Sequence, residues 1–247
     1  MEQKQLKFPS EEVELPSKGL LYPKENPLSS GKIEMKYMTA REEDILTNQN
    51  YIKNGTVIDK LLQSLILSKI NFADLLIGDK NAIMIAARVL GYGKDYTFDY
   101  KGEEVNIDLS TLEPVDFDDD EIKDGKNEFL YTLPKTGAQI SYKYLTHRDE
   151  VKITNELKGL KKINKHANPE LTTRLKFMIL SVNGSYEQKD IRDFVDNYFL
   201  AMDSRSFREH VSRKQPDVRL EFDHDGEDGF EEGVRIPIGV NFFWPDA

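Results

Sequence analysis

The sequence predicts an α+β fold with two helical sections, β-hairpins in the middle and at the C-terminus, and an extended N-terminal arm. Apolar residues recur at helical spacing behind capping residues in two separate stretches. Apolar and polar residues alternate with a period of two on either side of short turns. Frequent proline and glycine interrupt the first 35 residues and exclude a long helix there.

These patterns divide the chain of 247 residues into five sections. We expect the extended arm at residues 1–36, a helical section at 37–93, a β-hairpin section at 94–145, a second helical section at 146–216, and a ribbon-like, cysteine-free hairpin at 217–247.

The arm is not purely polar. Leu15, Leu20, Leu21 and Tyr22 surround a turn at Pro16–Gly19. A frayed terminus is one interpretation, because disorder concentrates at chain ends. The apolar residues favour the other, a strap that docks on its own body or on a neighbour.

Two helices are predicted after the arm. Thr39 and Glu42 have the spacing of a capping box, which predicts a helix from Ala40 to about Asn48. From Val57 the apolar positions recur as in an amphipathic helix with a broad buried stripe.

A third helix is predicted from Lys80 to Leu90. Asp79 would cap its N-terminus, and Gly91 would end it in the left-handed conformation. The helix is apolar almost all round, which predicts a place in the middle of the core.

Two hairpins are predicted in the middle section, with an acidic run between them at Asp116–Glu121. The first pairs Tyr96–Tyr100 with Val105–Leu109 about Lys101–Gly102, and the second pairs Glu128–Thr132 with Gln139–Tyr144 across Pro134–Gly137.

The second helical section begins at another capping-box spacing, Thr146 with Asp149. The spacing of apolar residues predicts helices at Val151 to about Lys165, at Leu171–Val182, along Ile191–Met202, and from Asp203 or Ser204 until Pro216. Two strands are then predicted in the tail, at Val218–Phe222 and Val234–Trp244, with an acidic turn between them.

Composition excludes several classes of function. The absence of cysteine removes disulfides, thiolate nucleophiles and thiolate metal sites. The longest strictly apolar run, Ala82–Ala87, is far shorter than the ~20 residues of a membrane crossing, and the N-terminus lacks the pattern of a secretory signal. We therefore expect a soluble intracellular protein. A net charge of −10 argues against broad nucleic-acid binding.

No motif predicts catalysis or a bound cofactor. The four histidines are scattered, and there is no phosphate-binding loop or nucleophile elbow. The acidic run at Asp223–Gly229 fails the spacing of a calcium loop. The lysine run Lys158–Lys165 is better explained as a solvated helix face than as a nucleic-acid site. We predict a protein that is not an enzyme, although a site assembled from distant residues stays open as an alternative.

Four segments carry a resemblance to a known family: Glu14–Pro23, Gly31–Leu46, Ile77–Gly93 and Ile236–Pro245. They resemble, in the same order, the baseplate hub assembly proteins of T-even-like bacteriophages. The resemblance covers both ends and the first helical section and is weaker between about residues 113 and 215.

The resemblance implies a non-enzymatic myovirus tail protein that acts in assembly of the baseplate hub and binds other tail or baseplate proteins. It implies a place in the host cytoplasm during assembly, with the virion baseplate as a second location. The alternatives are a permanent structural subunit of the baseplate and, less favoured, a tail-associated hydrolase. No cofactor, nucleic acid or membrane is expected as a ligand, and the oligomeric state stays open.

One departure from the family concerns metal. Many members carry a Cys-x-x-Cys knuckle in turns that correspond to Lys101–Gly102 and Asp223–Asp228, whereas this chain has no cysteine. We expect both hairpins to persist without zinc. Apolar tail residues would hold them: Val218, Leu220, Phe222, Ile236 and Ile238.

The arm and the terminal aromatic residues are the predicted contacts with partner proteins. The residues are Leu15, Pro16, Lys18, Gly19, Leu21, Tyr22, Phe242, Phe243 and Trp244. Large aromatic side chains dominate interface energies, but consecutive aromatics also fill cores. The sequence leaves both interpretations open for the three terminal aromatics.

Overall fold

The computed structural model describes residues 9–115, 122, 125–165, 169–226 and 229–243. The acidic run Asp116–Glu121 and the terminal Trp244 therefore lie outside the described residues. The described part contains eight α-helices: α1 (Ala40–Leu46), α2 (Gln49–Asn54), α3 (Val57–Leu65), α4 (Ile77–Tyr92), α5 (His147–Ile163), α6 (Glu170–Met178), α7 (Gln188–Asp193) and α8 (Ala201–Lys214).

The described strands form four small antiparallel sheets, which confirms the predicted α+β class. The pairs are β1 (Ser10–Glu14) with β2 (Lys32–Lys36), β3 (Asp95–Tyr100) with β4 (Glu103–Asp108), and β8 (Glu221–Gly226) with β9 (Gly229–Arg235). The three-stranded sheet has the order β5 (Phe129–Thr132), β6 (Gln139–Tyr142), β7 (Ile179–Val182).

Several elements were predicted correctly from sequence patterns of only a few neighbouring residues. Both capping boxes are present, at Thr39 and at Thr146. The turn of the β3–β4 hairpin is at Lys101–Gly102, where both residues have positive φ angles of 56° and 87°. Positive φ at both central residues matches the twist of a tight hairpin. The predicted first helix is too long, because the side chain of Asn48 caps a new helix, α2.

The prediction for α4 was wrong at both ends. The helix begins at Ile77, so Asp79 lies inside its first turn and is fully buried. Gly91 lies inside the helix, where a Cβ atom would be 2.7 Å from Cε of Met38, and Gly93 follows the helix end at Tyr92. The start is fixed by a tertiary contact, since Leu76 forms a β-bridge with Thr146.

The helix predicted to run through Val182 ends at Met178 instead. The next four residues form β7, which pairs with β6 in the register Ser141 to Ser181. The two serine hydroxyls are 2.6 Å apart and buried. Residues 179–182 therefore form a strand because they pair with the edge of β6, although their apolar spacing is that of a helix. The spacing of neighbouring residues does not reveal this distant pairing.

The helix predicted along Ile191–Met202 is interrupted. After α7 the chain makes a π-helical turn at Phe194–Tyr198, and α8 begins at Ala201, earlier than expected. Phe199 turns inward, stacks on Phe194 at a ring distance of 5.2 Å and also contacts Phe207. As predicted, α8 ends before Pro216.

Both tail strands lie earlier or later than predicted, since β8 shares only Glu221 and Phe222 with the predicted Val218–Phe222, and β9 shares only Val234 and Arg235 with the predicted Val234–Trp244. β9 ends at Arg235, and Val240–Phe243 forms a 3₁₀ helix. Consecutive residues of a strand point to opposite faces. The adjacent Phe242 and Phe243 are both fully buried, an arrangement that the 3₁₀ turn permits.

One apolar core includes residues from all parts of the chain, with α4 near its middle. Ile83 and Ala87 of α4 have no exposed surface. At the start of α4, a Cβ atom on Gly78 would lie only 1.9 Å from the carbonyl oxygen of Pro216. Glycine therefore allows the backbone after α8 to approach α4 directly.

A buried glutamate joins β2, α1 and α3. The side chain of Glu42 is fully buried and pairs with Lys36, Nζ to Oε1, at 2.8 Å. The hydroxyls of Ser64 and Thr39 donate to the same carboxylate, each at 2.7 Å. Burial alone would raise the pKa of Glu42, but these donors outweigh it and lower that pKa to about 2.

This carboxylate predicts an acid-sensitive contribution to stability. The folded pKa of Glu42 lies below its unfolded value, so the unfolded state takes up a proton first as pH falls. We expect the contribution of Glu42 to the free energy of unfolding to fall by about 2 kcal/mol as the pH is lowered from about 6 to about 3. Urea unfolding of the wild type and of Glu42→Gln over this range measures it. The gap in unfolding free energy should narrow toward acid pH, and a constant gap would contradict the assignment.

Candidate partner-binding site

Residues 15–31, the strap, form a closed loop after β1. The amide of Leu15 donates to the carbonyl of Gly31 at 2.8 Å and closes the base of the loop. Lys18 and Gly19 turn the chain with φ angles of 51° and 77°. A Cβ atom on Gly19 would lie 2.4 Å from the carbonyl oxygen of Ser29, so the two arms of the strap touch through their backbones.

Replacing Gly19 tests this close approach. We expect Gly19→Ala to lower the free energy of unfolding by about 2–3 kcal/mol, because both φ and the contact with Ser29 oppose a side chain. Gly55→Ala is the matched control, since Gly55 has a similar φ of 69° but open space around it. It should cost only about 1 kcal/mol in urea unfolding. Equal losses in the two variants would show that the strap is not tightly packed.

Asp79 of α4 anchors the strap to the body. Its Oδ1 accepts from the amide of Ser17 at 2.9 Å, and its Oδ2 accepts from the Ser17 hydroxyl at 2.7 Å and from the Tyr22 hydroxyl at 2.6 Å. Tyr22 in turn accepts from the amide of Leu76 at 2.9 Å. One carboxylate therefore satisfies three buried donors of a segment that lies about 60 residues earlier in the chain.

The environment of this anchor shifts the pKa values of Asp79 and Tyr22. Burial raises the pKa of Asp79, and hydrogen bonds from Tyr22 and Ser17 partly oppose the rise. Burial and the neighbouring Asp79 carboxylate raise the pKa of Tyr22. Tyr22 therefore remains a protonated donor at neutral pH.

The terminal aromatics pack on the first hairpin. Phe242 meets Tyr96 edge to face at a ring distance of 4.9 Å, and Phe243 meets Phe242 at 5.2 Å. The Tyr96 hydroxyl donates to the carbonyl of Pro237 at 2.9 Å. These contacts hold residues 237–243 against β3.

The two ribbon-like hairpins pack side by side. Phe222 of β8 contacts Phe98 and Tyr100 of β3 at ring distances of 5.4 and 5.6 Å. The Tyr100 hydroxyl donates to Glu231 at 2.8 Å, and Lys101 pairs with the same carboxylate. Aromatic contacts and an ion pair thus join the two hairpins on which the family resemblance implied zinc.

The tail residues named as hairpin supports lie in or against the core. Ile236 is buried, and the others are half-buried: Val218, Leu220, Phe222 and Ile238. No cluster of three or more potential metal ligands occurs among the residues that the structure describes.

A histidine with charged neighbours lies between α3, α4 and α5. His147 Nδ1 is 3.3 Å from Lys80 Nζ, and its Nε2 is 3.6 Å from Asp59 Oδ2. Lys80 also pairs with Asp59 at 2.5 Å. Burial and the nearby Lys80 lower the pKa of His147, so the ring is neutral at pH 7. These contacts join three helices, and the Phe72 ring packs edge-on against His147.

The sequence matches the family described as T4 bacteriophage base plate protein over residues 12–244. The chain belongs to this family. Comparisons with curated proteins and with solved structures give no match. Within the described residues of this baseplate protein, no helix has both the length and the apolar character needed to cross a bilayer.

Most of the predicted contact residues in this baseplate protein face inward. Seven of the nine are buried: Leu15, Pro16, Gly19, Leu21, Tyr22, Phe242 and Phe243. Lys18 is exposed at the tip of the strap, and Trp244 lies outside the described residues. The strap is anchored to α4 through Ser17 and Tyr22, whereas Phe242 packs against Tyr96 of β3 and Phe243 packs against Phe242. The buried side chains offer no surface to a partner in this conformation.

Sequence reasoning missed the anchor itself. Asp79 was interpreted as a helix cap, a role that leaves the carboxylate near the surface. A usable signal was present, since Asp79 is the one acidic residue of the largely apolar segment Ile77–Tyr92, and Ser17 and Tyr22 are hydroxyl residues beside the apolar residues of the strap. A buried carboxylate requires such donors.

Proposed function

We propose that this baseplate protein is a non-enzymatic factor in assembly of the baseplate hub, and that it acts by binding other tail or baseplate proteins. The observation that carries the proposal is the family match, which extends over residues 12–244. The baseplate is a protein assembly, so its members work through contacts with other proteins. We place the action in the host cytoplasm while the baseplate is being built, with neither nucleic acid nor membrane as partner.

Two exposed surfaces support a binding role. The tip of the strap presents Lys18 beside Leu20, which is 39% exposed. At the junction of the π-helical turn and α8, Tyr198, Leu200 and Met202 are 62%, 47% and 69% exposed. Aromatic and methionine side chains are enriched in protein interfaces. Both surfaces are held on folded elements, which reduces the ordering cost of binding.

Mass spectrometry of purified virions beside the infected-cell lysate tests the proposed role. An assembly factor should be abundant in the lysate and absent or substoichiometric in virions. A fixed copy number in purified virions, comparable to that of known baseplate subunits, would overturn it in favour of a permanent structural subunit.

The non-enzymatic part of the proposal has its own test. The purified protein is incubated with bacterial cell-wall material, and release of soluble fragments is compared with buffer. We expect no release above buffer. Release that disappears in Asp59→Asn would identify a hydrolase and overturn this part, because Asp59 is the carboxylate nearest His147 in the charged cluster.

A further inference from the structure

A long open groove crosses one face of the protein. Its first part, of about 730 Å³, lies between α2, α3, α4 and α5. Its second part, of about 960 Å³, lies between α4, α8 and the tail before and after the β8–β9 hairpin. The two parts adjoin, because four residues line both of them: Ile58, Asn81, Met84 and Arg174.

The lining of the long groove includes many apolar side chains. Val57, Ile58 and Met84 lie in the first part, and the second is lined by Val115, Val218, Leu220, Ile236 and Ile238. Neither part is lined by Phe, Tyr or Trp, and the one ring among the lining residues, that of His147, is buried. An apolar lining without stacking platforms suits leucine-like side chains better than nucleobases.

The charge of the long groove is opposite to that of the chain. Six basic residues line it against four acidic ones, Asp59, Glu150, Asp217 and Glu221, whereas the whole chain carries −10. The basic residues are Lys80, Lys158, Arg174, Arg213, Arg219 and Arg235.

Part of this positive charge is already used inside the protein. Lys80 pairs with Asp59, and Arg174 pairs with Glu150 and Glu170. Lys158, Arg219 and Arg235 are exposed, and none of the three forms a salt bridge with any residue that the structure describes. These three charges are therefore available to a ligand.

The lysine run of α5 continues the long groove. Lys158 lies at its rim, and Lys161 and Lys162 follow at spacings of three and four residues, which place them on one side of the helix end. Lys165 follows just after α5 ends at Ile163. All four are exposed. The run explained from sequence as a solvated face is thus the extension of a positively charged groove.

We propose that the long groove binds an acidic segment of a partner protein, with leucine-like side chains on the apolar lining and carboxylates on Lys158, Arg219, Arg235 and the lysine run. This inference rests on the proposed function and adds the chemistry of the partner. Complementary charge favours such a segment, because acidic residues are repelled by most of this negatively charged protein and attracted to this surface.

The test measures binding of a fluorescein-labelled peptide of alternating Glu and Leu to the full-length protein by fluorescence anisotropy. A peptide of alternating Gln and Leu is the probe for the apolar contribution alone. The groove variant combines Lys158→Glu, Arg219→Glu and Arg235→Glu. The matched control combines Lys24→Glu, Lys69→Glu and Lys189→Glu, which are exposed lysines outside the groove and give the same change in net charge.

We expect the Glu peptide to bind more tightly than the Gln peptide, and its affinity to fall as salt rises. The groove variant should weaken Glu-peptide binding by about tenfold or more, since three attractive charge contacts become repulsive ones. The control should change it by less than about threefold. Circular dichroism and thermal melting establish that both variants are folded.

Several outcomes would overturn the proposal. These are no binding of the Glu peptide, equal weakening in both variants, or groove-dependent binding of a duplex oligonucleotide in its place. Self-association of the wild type that the groove variant abolishes would assign the groove to a second copy. Peptide binding only after residues 116–121 are replaced by Gly and Ser would assign it to the protein's own acidic run. A fixed virion copy number with intact peptide binding would instead reject the assembly-factor role alone.

Discussion

Asp79→Ala is expected to lower the free energy of unfolding by about 3–5 kcal/mol, because each buried donor left without its acceptor costs about 1–3 kcal/mol. The change removes the acceptor of the Ser17 amide, the Ser17 hydroxyl and the Tyr22 hydroxyl at once. All three groups are buried, so water does not replace the carboxylate without opening the strap.

Urea unfolding measures the loss, and hydrogen exchange locates it. The amide of Leu76, which donates to Tyr22, should exchange faster in Asp79→Ala than in the wild type. Asp79→Asn keeps one oxygen acceptor and should lose less. Asp44→Ala is the matched control, because Asp44 is an exposed residue of α1 and should change stability by less than about 0.5 kcal/mol. A similar small effect of Asp79→Ala would mean that the strap is not anchored there.

Phe243→Ala is expected to lower the free energy of unfolding by about 3–5 kcal/mol, the usual cost of deleting a fully buried aromatic ring. Phe243 has no exposed surface and packs against Phe242, which in turn contacts Tyr96. The cavity lies where the tail meets β3, and the fixed positions of the neighbouring rings limit its collapse.

Phe230→Ala on β9 is the matched control for this change. Phe230 is 65% exposed, so the same deletion should alter stability by less than about 0.5 kcal/mol. Thermal and urea unfolding of the two variants compare the effects directly. A stable Phe243→Ala protein that fails only in baseplate assembly would show that this residue serves a partner and not the core.

Elements governed by neighbouring residues were predictable from the sequence. The capping boxes at Thr39 and Thr146 and the turn at Lys101–Gly102 depend on contacts within a few residues, which the sequence displays directly. Elements governed by distant contacts were not. β7 exists because β6 offers it an edge, and α4 begins early because Leu76 bridges to Thr146.

The same distinction applies to the candidate site. The strap was predicted from Leu15, Leu21 and Tyr22, but the spacing of apolar residues does not say which surface they cover. That surface is set by Asp79, more than 50 residues later in the chain. The long groove was also beyond the sequence, because its basic residues come from α4, α5, α6, α8 and the tail, and only the lysine run is contiguous.

The close approach at Gly78 has a consequence for the order of folding. α4 contacts Ser17 and Tyr22, which precede it in the sequence. It also contacts the backbone of Pro216 and the 3₁₀ helix that contains Phe242, both of which follow it by more than 100 residues. During synthesis on the ribosome, the apolar surface of α4 emerges long before the residues that cover its other faces. The burial of α4 is therefore complete only after residue 243 has left the exit tunnel, so its apolar surface stays partly uncovered during most of synthesis.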